Sequence, residues 1–160
     1  MTDDKRAVLT TPGDREIHIE RILDAPRDRV FAAFTNPDLI PQWWGPRKIT
    51  TEVKKMDVRP GGDWHFICHD SEQGDTEFRG TYREVTPPER ISQTFEWLGM
   101  PGYVSVETAE FEDLGDQTRV VTTTIFHTAE ERDGMISSGM EFGMQETYQR
   151  LDELLAAGVA

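Results

Sequence analysis

The chain has 160 residues, 36% of them hydrophobic and 29% charged, which fits one soluble domain with a sizeable core. Thirty acidic residues against 17 basic ones give a formal charge of −13, which argues against nucleic-acid phosphates and anionic lipid surfaces as partners. A single cysteine, Cys68, excludes an intrachain disulfide and fits a reducing compartment.

Residues 1–14 carry no apolar core of signal-peptide length and read as a flexible arm, with a single domain expected over 15–157. No apolar run approaches membrane-spanning length, so a cytoplasmic protein without a membrane partner is expected. From Arg15 to Leu23, Ile17 and Ile19 alternate with His18 and Glu20, the pattern of a half-buried strand. Pro26 marks a possible helix start, and Val30, Phe31 and Phe34 give that short helix an apolar face. Asn36 and Pro37 read as the cap and first residue of a second, very short helix. The corner Trp43-Trp44-Gly45-Pro46 follows, and one of its indoles should pack inside.

Six further strands are predicted: 50–58, 63–69, 76–85, 90–98, 103–112 and 118–126. Turn signals such as Arg59-Pro60-Gly61-Gly62 separate them, the spacing of an antiparallel meander. A final helix is predicted from Thr128 to Leu155, with Thr128 and Glu131 as a capping box. Met140, Met144, Tyr148, Leu151 and Leu155 mark its inner stripe, and Gly139 and Gly143 sit one turn apart. Such a stripe fits core packing, or soft thioethers lining a cavity that adapts to a guest. The expected fold is α+β: a curved seven-stranded antiparallel sheet around a long C-terminal helix, with two short helices after the first strand.

The run from Asp24 to Pro46, DAPRDRVFAAFTNPDLIPQWWGP, resembles the START-like or Bet v 1-like (SRPBCC) superfamily, and more narrowly its Hsp90 ATPase activator homologue (AHSA1-type) branch. Further matching stretches are Arg59–Trp64, Phe78–Tyr82, Pro87–Arg90, Gly139–Met144 and Arg150–Leu155. The resemblance spans 15–155 and implies a helix-grip fold, but no one activity, because the superfamily holds lipid carriers, polyketide cyclases and hormone receptors.

Alternation assigns the inner faces. Trp64, Phe66 and Cys68 share one; Phe78, Gly80 and Tyr82 another; Ile91, Gln93, Phe95 and Trp97 a third. Ser105, Glu107, Ala109 and Phe111 share a fourth, and Val120, Thr122, Thr124 and Phe126 a fifth. Together with Trp44, Met140, Met144 and Tyr148, these faces outline an aromatic site with a few polar points, the make-up of a small-molecule pocket. A one-residue bulge would flip any of these faces and leave Glu107 in water.

His127, just before the last helix, is the best-placed general base, with Glu107 as its partner, though the commoner reading for such a residue is a solvated histidine at a strand end. His65 and His69 share a strand face, but four strand residues span ~13 Å, too far for one metal ion, so no metal is expected. No phosphate loop or nucleophile elbow is present, and no cofactor is expected. The reading is of a monomer or homodimer that binds a small, mostly apolar or aromatic molecule. The alternatives are a cyclase or hydro-lyase of polyketide type, and a module that stimulates a chaperone ATPase.

Overall fold

The computed structural model describes residues 7–158 and shows one eight-stranded antiparallel sheet with three α-helices. Its strands are β1 (Val8–Thr10), β2 (Glu16–Leu23), β3 (Thr50–Met56), β4 (Asp63–Asp70), β5 (Gly74–Thr86), β6 (Arg90–Trp97), β7 (Val104–Asp113) and β8 (Thr118–Ile125). Their spatial order is β1-β2-β8-β7-β6-β5-β4-β3. The meander from β3 to β8 thus lies in sequence order, and β2 closes against β8.

The seven predicted strands are all present, and β1 is an eighth. It forms within the segment read as a flexible arm, pairing Leu9 with Ile19 at the sheet edge. The Ala7 N–H donates to Gln145 Oε1 at 2.9 Å, and Gln145 Nε2 donates to the Ala7 carbonyl at 2.8 Å, so this segment is tied to the C-terminal helix as well. Residues 1–6 of the arm lie outside the described residues.

Between β2 and β3 come α1 (Arg27–Thr35) and a single 3-10 turn, Ile40–Gln42. Asn36 accepts from the Asp38 N–H at 2.9 Å, so it caps the turn leading into that 3-10 segment rather than a helix of its own. The Trp corner follows as expected. Trp43 is 3% exposed, with its indole N–H donating to the Ala33 carbonyl at 3.0 Å, while Trp44 is half-buried.

The C-terminal helix corrects the prediction. It is two helices, α2 (Ala129–Ser137) and α3 (Met140–Ala156), not one. The break is Gly139, whose φ of +83° lies in the left-handed region that ends helices and favours glycine. Thr128 caps α2, accepting from the Glu131 N–H at 3.1 Å, but the Glu131 carboxylate takes the Thr128 hydroxyl rather than closing a full capping box. No residue of α2 is buried, whereas Tyr148, Leu151, Leu154 and Leu155 of α3 are. The grip is therefore tight over the C-terminal half of α3. It is loose over α2 and the first turns of α3, where Met135, Met140 and Met144 are only partly buried against the core.

The sheet bends where bulk is missing. A Cβ on Gly80 would fall 1.9 Å from the Thr94 carbonyl oxygen and 2.5 Å from Trp64 Nε1, so only glycine allows this close approach. Register shifts between Val53 and Lys55 in β3 and between Tyr82 and Glu84 in β5 mark bulges, which bend a strand locally.

Candidate functional site

The inner face is the one that alternation predicts. In β4, Trp64, Phe66 and Cys68 are buried, while His65, Ile67 and His69 lie on the other face. In β7 and β8, Ser105, Ala109, Phe111, Val120 and Thr122 are buried. The bulge in β5 falls at Arg83, beyond the Phe78–Tyr82 stretch, so it flips none of the assigned side chains.

The predicted site residues separate into three groups. Trp64, Phe66, Tyr82, Phe111, Thr122 and Tyr148 are buried. Trp44, Phe78, Phe95, Glu107, Thr124, Met140 and Met144 face inward but stay half-buried. Trp97 departs from the expectation: it is 42% exposed, because it is the last residue of β6 and its ring lies over Gly99 in the following turn.

The half-buried rings converge. Trp44 meets Phe66 edge-on at 5.2 Å and Phe78 at 5.6 Å. Phe78 meets Phe95 at 5.2 Å, and Phe95 meets Trp64 at 5.8 Å. Edge and tilted contacts at these distances are the favourable geometries for aromatic pairs. Phe111 is separate from this group, its ring edge-on to Phe31 at 5.3 Å and Phe34 at 5.1 Å under α1.

Beside the rings runs a polar row. Tyr82, Gln93, Glu107 and Thr124 are successive cross-strand partners, and Ile17 completes the row on β2. The Thr124 hydroxyl donates to Glu107 Oε2 over a long 3.5 Å. Desolvation pushes the Glu107 carboxyl above the usual carboxylate range, against the smaller pull of that hydrogen bond. Tyr148 reaches down from α3, and its phenol is held above its ordinary value by burial and then by the Glu107 charge, against a smaller pull from Thr122.

His127 does not join this row. It is exposed and makes no hydrogen bond or ion pair among the described residues, so the predicted His127–Glu107 acid–base pair does not assemble. The other histidines of interest serve the outer face, where His65 pairs with Glu77 at 2.8 Å and His69 bridges Glu52 and Asp75 at 2.9 and 2.7 Å. Among the described residues no three His, Cys, Asp or Glu side chains are grouped to hold a metal ion. Two surface hollows are present: one of about 420 Å³ is lined by Lys55, His65, Arg79 and Glu96 and reaches Trp64 and Gly80, and one of about 270 Å³ is lined by Arg27, Arg90, Glu110 and Phe111.

Two features escaped the sequence reading. Arg21 shares the inward parity of Ile17, Ile19 and Leu23, is 3% exposed, and reaches Asp152 of α3 at 3.9 Å. That parity was visible, but a charged residue in a strand otherwise reads as solvent-facing. Arg150 donates to the carbonyls of Gly45 and Pro46 at 2.8 and 3.3 Å, fastening the Trp corner to α3 and setting where Trp44 stands. It occupies the polar side of the helical pattern, and nothing in the sequence marks its backbone partners.

An antiparallel sheet gripping a C-terminal helix, with aromatic and polar side chains turned into the space between, defines a START-like (SRPBCC-type) helix-grip protein. The chain belongs to the family of Activator of Hsp90 ATPase homolog 1-like proteins, whose profile matches residues 24–156. It is similar in structure to a protein from Rhodobacter sphaeroides, with a TM-score of 0.89 and 22% identity over 95% of this chain and 99% of that one. The AHSA1 protein of Silicibacter pomeroyi gives a TM-score of 0.74 and 21% identity over 89% and 99% of the two chains. DynU16, a protein of the dynemicin biosynthetic locus, gives 0.67 and 19% over 92% of this chain and 49% of that one. No curated protein matches the sequence. Among the described residues no helix is long and apolar enough to cross a membrane.

Proposed function

We propose that the protein binds a small, mostly apolar or aromatic molecule between the sheet and the first turns of α3. The observation that carries this reading is the set of inward-facing side chains that the fold leaves incompletely covered: Trp44, Phe78, Phe95, Met140 and Met144. Glu107 supports it from the polar side. Desolvation dominates its carboxyl, yet it keeps some accessible surface, and both follow if it faces an internal space that a small molecule can enter. Methionine at three points of the helical wall supplies an adaptable lining.

Gly143 provides the test. A Cβ there would meet only Pro46 Cγ, at 3.8 Å, so a larger side chain at this position projects into the gap between α3 and the Trp corner. Gly143→Leu should leave the melting temperature unchanged or raised, since leucine is the better helix former, and should abolish binding of an environment-sensitive apolar dye. Failure of the wild-type protein to bind any such dye refutes the reading.

A second reading is a cyclase or hydro-lyase acting on a polyketide-like substrate in the same space. Glu107 favours it, as a carboxyl kept protonated to higher pH beside Tyr82, Gln93 and Thr124 could deliver one proton to a folded substrate. Turnover of a model polyketide that is lost in Glu107→Gln would establish it.

A further inference from the structure

Glu107 stands on the inner face with uncharged direct cross-strand neighbours. Gln93 lies across from it on β6 and Thr124 on β8. The Tyr148 phenol of α3 lies near the Glu107 charge and near Arg21 of β2, which reaches Asp152 at 3.9 Å. Among the described residues no Lys, Arg or His nitrogen makes a hydrogen bond or ion pair with the Glu107 carboxyl. Carboxylates largely withdrawn from water are ordinarily paired with a cation or with several donors. This one has a single long hydrogen bond.

Phe95 lies two residues along β6 from Gln93, on the same face, and leads into the ring cluster of Phe78, Trp44 and Trp64. Aromatic faces attract cations, most strongly when both partners are withdrawn from water. The whole molecule, at −13, also raises the local concentration of cationic solutes.

We propose that the occupant of this space is an apolar molecule carrying a basic nitrogen, whose ammonium group pairs with Glu107 while its apolar body lies against the rings around Phe95. The inference rests on the binding function proposed above and names the class of its ligand. An ammonium in contact would supply the cation that the carboxyl lacks, and each N–H left over has Gln93 or Thr124 oxygen within the same row. A neutral apolar ligand would leave the carboxyl where burial puts it and gain nothing from it.

The probes are three naphthalenes of nearly equal shape: naphthylmethylamine, naphthylmethanol and acetylnaphthalene. Calorimetric titration at pH 7 should show the amine binding at least tenfold tighter than the alcohol to the wild-type protein. Glu107→Gln, which keeps the shape of the side chain, should bring the two within about twofold. Asp116→Asn, at an exposed turn position, removes the same net charge and should leave the preference intact. Equal binding of amine and alcohol by wild type overturns the inference and leaves the binding function standing. Tightest binding of the ketone overturns it in favour of a protonated Glu107 donating to a carbonyl. An amine preference that survives in Glu107→Gln, or falls equally in Asp116→Asn, overturns the role given to Glu107. Binding of none of the three refutes the binding function together with the inference. The wild-type ratio decides the central claim even where a variant does not fold.

Discussion

Replacing Trp43 by alanine should unfold the Trp corner from beneath and identify which of the two indoles carries the fold. Trp43 is 3% exposed, tilts against Phe34 at 4.8 Å, and donates its indole N–H to the Ala33 carbonyl at the end of α1. Truncating a buried tryptophan costs ~3–5 kcal/mol, through lost burial and the cavity left behind. With a urea m-value of ~2 kcal/mol/M for a domain of this size, about 4 kcal/mol lowers the unfolding midpoint by about 2 M. Trp43→Phe keeps most of the packing and removes the donor, so it should cost ~1–3 kcal/mol. Trp44 is half-buried, with its ring on Phe66 and Phe78, so Trp44→Ala should shift the midpoint by well under half as much while weakening dye binding. Urea melts followed by circular dichroism measure all three. Equal shifts for Trp43→Ala and Trp44→Ala, or a wild-type midpoint for Trp43→Ala, would refute the division of labour between the two rings.

Cys68 is 5% exposed and burial raises its thiol, so a thiol reagent should label it far more slowly in native protein than in denaturant; equal rates would contradict its inward position. His69 is held protonated to higher pH by Glu52 and then Asp75, so its pairing stabilises the fold fully below its unfolded value near 6.5 and is lost as pH rises through the higher folded value. The stability difference between wild type and His69→Ala should accordingly shrink above pH 6.5, and an NMR midpoint for His69 at or below 6.5 would exclude this. Gly139→Ala meets no atom within 4 Å and should cost only the ~1–2 kcal/mol of a left-handed alanine, whereas Gly80→Ala, driven into the Thr94 carbonyl, should destabilise more in the same thermal melts.

The sheet was legible because its signals are local. Seven of the eight strands lie between turns rich in Gly, Pro and Asp, and the assigned inner faces of β4 through β8 follow from alternation, save at Trp97. There the strand ends, and parity stops meaning burial once no neighbouring layer covers the residue. β1 escaped because three residues are too few to show a period, and it exists through its partner Leu9–Ile19 pairing. His127 is exposed, in keeping with a solvated histidine at a strand end; position there constrains the backbone, not which groups its ring can reach. Arg21 and Asp152 meet across β2 and α3, 131 positions apart, and no pattern within either element announces the other.

The break at Gly139 shows how a local signal can be visible and still be read for the wrong purpose. Ser137-Ser138-Gly139 is a helix ending by its chemistry, yet Gly139 and Gly143 together also look like a smooth stripe on one continuous helix. The structure separates them: Gly139 takes φ of +83° and nothing crowds it, while Gly143 keeps helical geometry and faces Pro46. The consequence reaches the site. A continuous helix would press its whole length on the sheet at one distance, but a break lets α2 lie without a buried residue while α3 remains anchored by Leu151, Leu154 and Leu155. Arg150 then fixes α3 to the Trp corner at one end of the gap, and Gln145 fixes it to Ala7 at the other side. The lining side chains stay half-covered because the elements over them are held by their ends rather than by their own packing. Local openings of lowest cost should therefore lie in α2 and the first turn of α3, the segment through which a ligand would enter.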